Sequence, residues 1–135
     1  MTDRDSLLSY RLNQAEETLA ETEKMLSENF SPRSITNRAY YSMFYALMVL
    51  FIKADVRLTT SKHQGLLTLF DREFVKPGLF DKKYSAMLHA TFDERLEGDY
   101  KEFADLTKDD AERTIGYAKE FLAAVKKYKN KETAQ

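Results

Sequence analysis

Three short stretches carry the side chains that could do chemistry. The first is Asn37-Arg38-Ala39-Tyr40-Tyr41-Ser42-Met43-Phe44-Tyr45. At helical spacing Arg38, Tyr41 and Tyr45 step along one face, because residues three and four apart are neighbours on a helix. A guanidinium beside phenols can hold a phosphate or stack a base. The plain alternative is that the aromatics are core and that Arg38 pairs with a carboxylate at the rim. The second stretch holds His63, placed at a helix start, where the dipole disfavours the imidazolium and a neutral ring can accept a proton. A histidine simply packed on the helix end explains that position equally well. The third is Arg95-Leu96-Glu97-Gly98-Asp99-Tyr100. There Arg95 and Asp99 are four apart, which gives either an ordinary helix salt bridge or an arginine oriented towards an anion, with Tyr100 closing the pocket.

Other chemistries are excluded by composition. The chain has no cysteine and two histidines, which removes thiol catalysis and thiolate metal sites. No Gly-rich phosphate loop of the GxxxxGK[ST] type and no Glu-x-x-His pair occur. No metal and no cofactor are therefore expected. The formal charge is −1, from 21 basic and 22 acidic residues, so nucleic acid cannot be held by charge alone. Any such binding needs a local basic pocket. The N-terminus lacks an apolar signal core, and the longest apolar run, 43–52, is too short to span a bilayer. Together with the missing cysteines, this suits a cytoplasmic protein without membrane contact.

The elements that must position these side chains are helices. Leu8, Leu12, Ala15, Leu19, Thr22 and Leu26 recur at steps of three and four, predicting a helix over about 5–27. Ser31-Pro32 is a strong helix start, with serine as cap and proline at the first helical position. The helix it opens runs to about residue 54. Its LMVLFI half is apolar all round and must lie in the middle of a bundle or in a dimer interface. Ser61 to Gln64 has capping-box spacing and opens a third helix that Pro77-Gly78 stops. A fourth covers about 81–99. Thr107 and Asp110 announce a fifth, striped by Ala111, Ile115, Ala118, Phe121, Leu122 and Val125. With four glycines and two prolines, short loops and no repeats, this predicts an all-α, up-and-down bundle of four to five helices. One domain fills 1–135, with a core of about 5–128 and a tail over 129–135.

Three segments, NRAYYSMFYA, KHQGLLTLFDREFVKPG and RLEGDY, resemble the HEPN superfamily (higher eukaryotes and prokaryotes nucleotide-binding), and in particular its small stand-alone prokaryotic members. The resemblance spans about residues 5–125. It implies a HEPN-like bundle, usually homodimeric, associated with a minimal nucleotidyltransferase in toxin–antitoxin-like pairs. It also implies metal-independent ribonuclease activity where an arginine is followed, after four to six residues, by histidine. Arg95 matches that arginine, but Asp99 and Tyr100 stand where the histidine belongs. Ionised Asp99 cannot replace imidazole as an acid–base pair at neutral pH. Arg57 and His63 have the spacing, but across a loop and a helix start.

The leading expectation is thus a homodimeric binding module rather than an enzyme. It would take a nucleotide, an RNA segment or a nucleotidyltransferase partner in a groove lined by Arg38, Tyr41, His63, Arg95, Asp99 and Tyr100. Arg38 and Arg95 would converge on phosphate. The alternatives are a ribonuclease using His63 and Arg95, and a structural helical adaptor.

Overall fold

The computed structural model describes residues 2–100 and 106–131, with the backbone alone over 96–100. Five helices follow one another: α1 (Asp3–Ser27), α2 (Pro32–Lys53), α3 (His63–Phe70), α4 (Lys82–Tyr100) and α5 (Lys108–Lys131). No strand occurs among the described residues. A π-helical segment, Asp71–Val75, continues α3. The all-α bundle expected from periodicity is what forms.

The local signals explain most boundaries. Ser31 caps α2 by accepting from the Ser34 amide, and Pro32 opens the helix. Thr107 and Asp110 exchange the reciprocal bonds of a capping box, at 2.9 and 3.1 Å. Such caps satisfy amides that have no partner inside the helix. α1 starts on the same device, formed by Thr2 and Asp5, slightly earlier than its stripe suggested. α1 and α2 are each followed by a residue in the left-handed region, Asn29 and Asp55. The exposed carbonyls at the end of α2 are met by Arg4, whose Nε donates to Ile52 at 2.9 Å and whose Nη2 donates to Lys53 at 2.7 Å. α5 continues to Lys131, past the expected core limit at 128.

The third helix departs from expectation. Ser61 does not cap it; α3 begins at His63, and no side chain caps it at Lys62. Thr60 Oγ1 instead accepts from the Lys62 amide at 3.1 Å, an early bond that competes with the capping box. Proline and glycine do end the helical run, but only after the π-helical turn, with Gly78 at φ +86°.

α2 is the central helix and packs on α1, α4 and α5. Ala39, Tyr40, Met43, Ala46, Leu47, Val49, Leu50 and Phe51 are buried along it. Small residues let α1 and α2 approach closely: Ala15 faces Ser42, whose hydroxyl donates to the Ala15 carbonyl at 2.8 Å. An aromatic cluster of Phe70, Phe74, Phe80 and Phe121 joins the π-helical segment to α5, with neighbouring centroids 5.6–6.3 Å apart. Burying each such ring is worth about 1.5–3 kcal/mol. Along one side of α2, Tyr41, Tyr45, Met48 and Ile52 pack against the core but are only half-buried. Leu7, Tyr10 and Leu58 are exposed.

Candidate functional site: a guanidinium and an imidazole on two phenols

The site forms where α4 and the start of α3 meet the N-terminal half of α2. α4 is fixed there by Glu94, which receives Arg113 Nη2 of α5 at 2.9 Å; the same guanidinium also binds Asp110 at 2.8 Å. The next residue, Arg95, thereby lies against α2. Its Nε donates to Asn37 Oδ1 at 3.0 Å and its Nη2 donates to the Tyr41 hydroxyl at 3.2 Å. The guanidinium carbon sits 5.2 Å from the Tyr40 ring centroid and 5.4 Å from that of Tyr41. Both distances suit attraction between a cation and the electron-rich ring faces.

His63 borders the same two phenols. Its Nδ1 lies 3.0 Å from the Tyr40 hydroxyl. The ring stacks on Phe44 at 4.3 Å and meets Tyr41 edge-on at 6.0 Å. Burial lowers the imidazole pKa from its usual value, and the positive charge of Arg95 lowers it further. The ring is thus neutral at physiological pH. Tyr40 is fully enclosed, and burial pushes its phenol well above the usual range, so it stays protonated. The result is a half-buried cluster of a fixed cation, a neutral imidazole and two phenols. That set can bind an anionic oxygen and pack against a base.

Not every expected residue is here. Arg95, Tyr41 and His63 come together. Arg38 does not join them; it pairs with Glu21 of α1. It lines a separate recess with Lys24, Met25, Glu28 and Phe30. The expected convergence of Arg38 and Arg95 is therefore corrected, because position 38 faces α1 while its neighbours 37 and 41 reach α4. The side chains of Asp99 and Tyr100 lie outside the described residues. Arg57 is exposed in the loop before α3. Three residues were missed: Asn37, which orients Arg95; Tyr40, which holds His63; and Phe44, which supports the ring. The i, i+3 and i, i+7 spacing of 37, 40 and 44 was the available signal.

A second histidine pair lies elsewhere, with His89 Nε2 2.9 Å from Asp71 Oδ2. No group of three metal-ligating side chains occurs among the described residues. No helix among them is long and apolar enough to cross a membrane.

The chain is thus a small all-α bundle that carries a guanidinium and an imidazole on adjacent tyrosines. Residues 8–128 match the HEPN domain, and the chain belongs to that family. It is similar to a UPF0332 protein of Thermotoga maritima, 33% identical over 127 residues, covering 94% of each chain. Two proteins of Methanocaldococcus jannaschii, both named as candidate toxins, are also similar. One is 28% identical, covering 87% of this chain and 78% of the relative. The other is 31% identical, covering 84% and 81%.

Proposed function

We propose that this chain is a homodimeric HEPN module that binds the phosphate of an RNA strand or nucleotide at the Arg95–His63 cluster. We place it in a toxin–antitoxin-like pair beside a nucleotidyltransferase. The carrying observation is the Arg95 guanidinium, aligned by Asn37 and Tyr41 over two phenol rings, with His63 beside it. A planar guanidinium held this way suits a phosphate, with little ordering left to do on binding. The names of the two archaeal relatives support the toxin–antitoxin setting. The half-buried stripe of Tyr41, Tyr45, Met48 and Ile52 supports self-association, because such apolar faces are usually covered. An adaptor role alone leaves the polar cluster without a purpose.

Arg95→Ala should weaken binding of a short fluorescent single-stranded RNA by tenfold or more, while Arg38→Ala stays within about twofold. Equal losses in fluorescence anisotropy would refute the proposed site. Tyr45→Glu with Met48→Glu should convert a dimer to monomer in sedimentation; a monomeric parent protein would remove the dimer from the proposal.

The nearness of His63 and Arg95 also favours a second reading, metal-independent cleavage of RNA by that pair. RNA incubated with the protein and a chelator would test it. Unchanged cleavage by His63→Ala would remove the histidine from such a mechanism.

A further inference from the structure

The reading of the cluster as a phosphate site raises a question of atoms: which part of His63 meets the ligand. The Tyr40 side chain has no exposed surface. Among the described residues its hydroxyl has one partner, His63 Nδ1 at 3.0 Å. Two proton arrangements fit that contact. In the first, the phenol donates its proton to the Nδ1 lone pair, and the proton of the neutral imidazole sits on Nε2. In the second, Nδ1–H donates to the phenol oxygen, and the phenol proton is left without an acceptor. Around it lie Tyr41, Phe44 and Phe92, with ring centroids 5.5–6.3 Å from that of Tyr40. A buried donor left unmade is disfavoured enough to shift the population by roughly tenfold. The first arrangement wins.

The ring's other nitrogen is free to act. Nε2 makes no hydrogen bond among the described residues. His63 is only half-buried, and its Nε2 is not among the buried unpartnered side-chain atoms of the described residues, Thr36 Oγ1 and Asp71 Oδ1. The stacked Phe44 fixes the plane of the imidazole. We infer that Tyr40 is a positioning residue that locks His63 in the Nε2–H tautomer, so that this histidine meets a phosphate oxygen as a neutral donor beside Arg95. The inference rests on the phosphate-binding reading above and bears on the cleavage reading as well. To deprotonate a 2′-hydroxyl, His63 needs an open lone pair. Its Nδ1 lone pair is taken by Tyr40, and its Nε2 already carries a proton. The cluster is built to hold a phosphate and lacks the free base needed to start cleavage.

Nitrogen-15 spectra of the full chain, labelled at histidine, decide the tautomer without any ligand. The chain has two histidines, and His89→Asn assigns the second ring. At neutral pH, Nδ1 of His63 should resonate as the unprotonated nitrogen and Nε2 as the protonated one. Tyr40→Phe should give a mixture of both tautomers, an effect that loss of packing alone would not produce. The proton found on Nδ1 in the parent protein overturns the inference, even if Tyr40→Phe does not fold. The ligand arm uses a short fluorescent oligouridylate. His63→Leu should bind it about tenfold more weakly, and His63→Gln, which keeps an N–H donor, should recover most of that loss. Equal affinity of His63→Leu and the parent chain overturns the phosphate contact. No binding by the parent chain overturns the function proposed above and the contact with it, while the spectra still decide the tautomer.

Discussion

The neutral state of His63 has a thermodynamic consequence at the level of one residue. Its pKa is lowered in the folded chain, first by burial and then by Arg95, whereas the unfolded chain titrates near 6.5. Below that value the unfolded state takes up a proton that the folded state resists. Folding stability linked to this residue is therefore fully present above about pH 6.5 and is lost as pH falls towards the folded-state pKa. His63→Gln, which has no titrating group, should lose less stability than the parent chain between pH 7 and pH 5.5. Urea denaturation at both values measures it; parallel losses would show that the imidazole is not held neutral. At this scale the sequence was only partly legible. His63 and Arg95 stood out by type, but their partners Tyr40 and Asn37 lie 23 and 58 residues away. Such pairs are set by tertiary approach, which spacing cannot reveal. Arg38 was misread for a related reason. A helix position lies close to two faces at once, and the identity of the neighbouring helix decides between them.

At the level of elements, the site depends on how the 55–62 connection delivers α3. A Cβ built on Gly65 would stand 2.5 Å from Thr60 Cγ2. The absence of that atom lets the connection lie against the first turn of α3, beside His63. Gly65→Ala should destabilise the fold by roughly 1 kcal/mol, despite alanine's better helix propensity, because the connection must move. Thr60→Ser removes the clashing methyl and keeps the hydroxyl that accepts from Lys62. The double variant should recover part of the loss; a double-mutant cycle with no coupling would exclude the contact. Helix starts at Ser31 and Thr107 were legible because capping is a local bond between residues three apart. The start of α3 was misplaced because Thr60 offered the backbone a competing local bond.

The whole molecule carries nearly balanced charge, with 21 basic and 22 acidic residues. Many cations on its surface are already paired, including Lys83 with Glu120 and Lys119 with Glu23, both at 3.1 Å. An RNA strand should therefore meet one or two localised cations rather than a basic face. The logarithm of the RNA association constant should fall with the logarithm of salt at a slope between about −0.7 and −1.4. Titrations at several salt concentrations give that slope. A value several times steeper would indicate a broad electrostatic footprint and move the binding surface away from the cluster. Periodicity made the bundle readable because helices here bury stripes against a central, mostly apolar helix. The half-buried side of α2 could not be assigned from pattern, since an apolar residue looks the same whether its neighbour belongs to its own chain or to another.

The π-helical turn at Asp71–Val75 makes the chain unforgiving of length changes. One residue more or less in a helix rotates everything beyond it by about 100°. Shortening the segment by a residue would give a more regular spiral, yet it would swing Phe74 and the route to Phe80 out of the aromatic cluster they complete with Phe70 and Phe121. Substitutions at exposed positions such as Arg72 should be tolerated where a single-codon deletion is not.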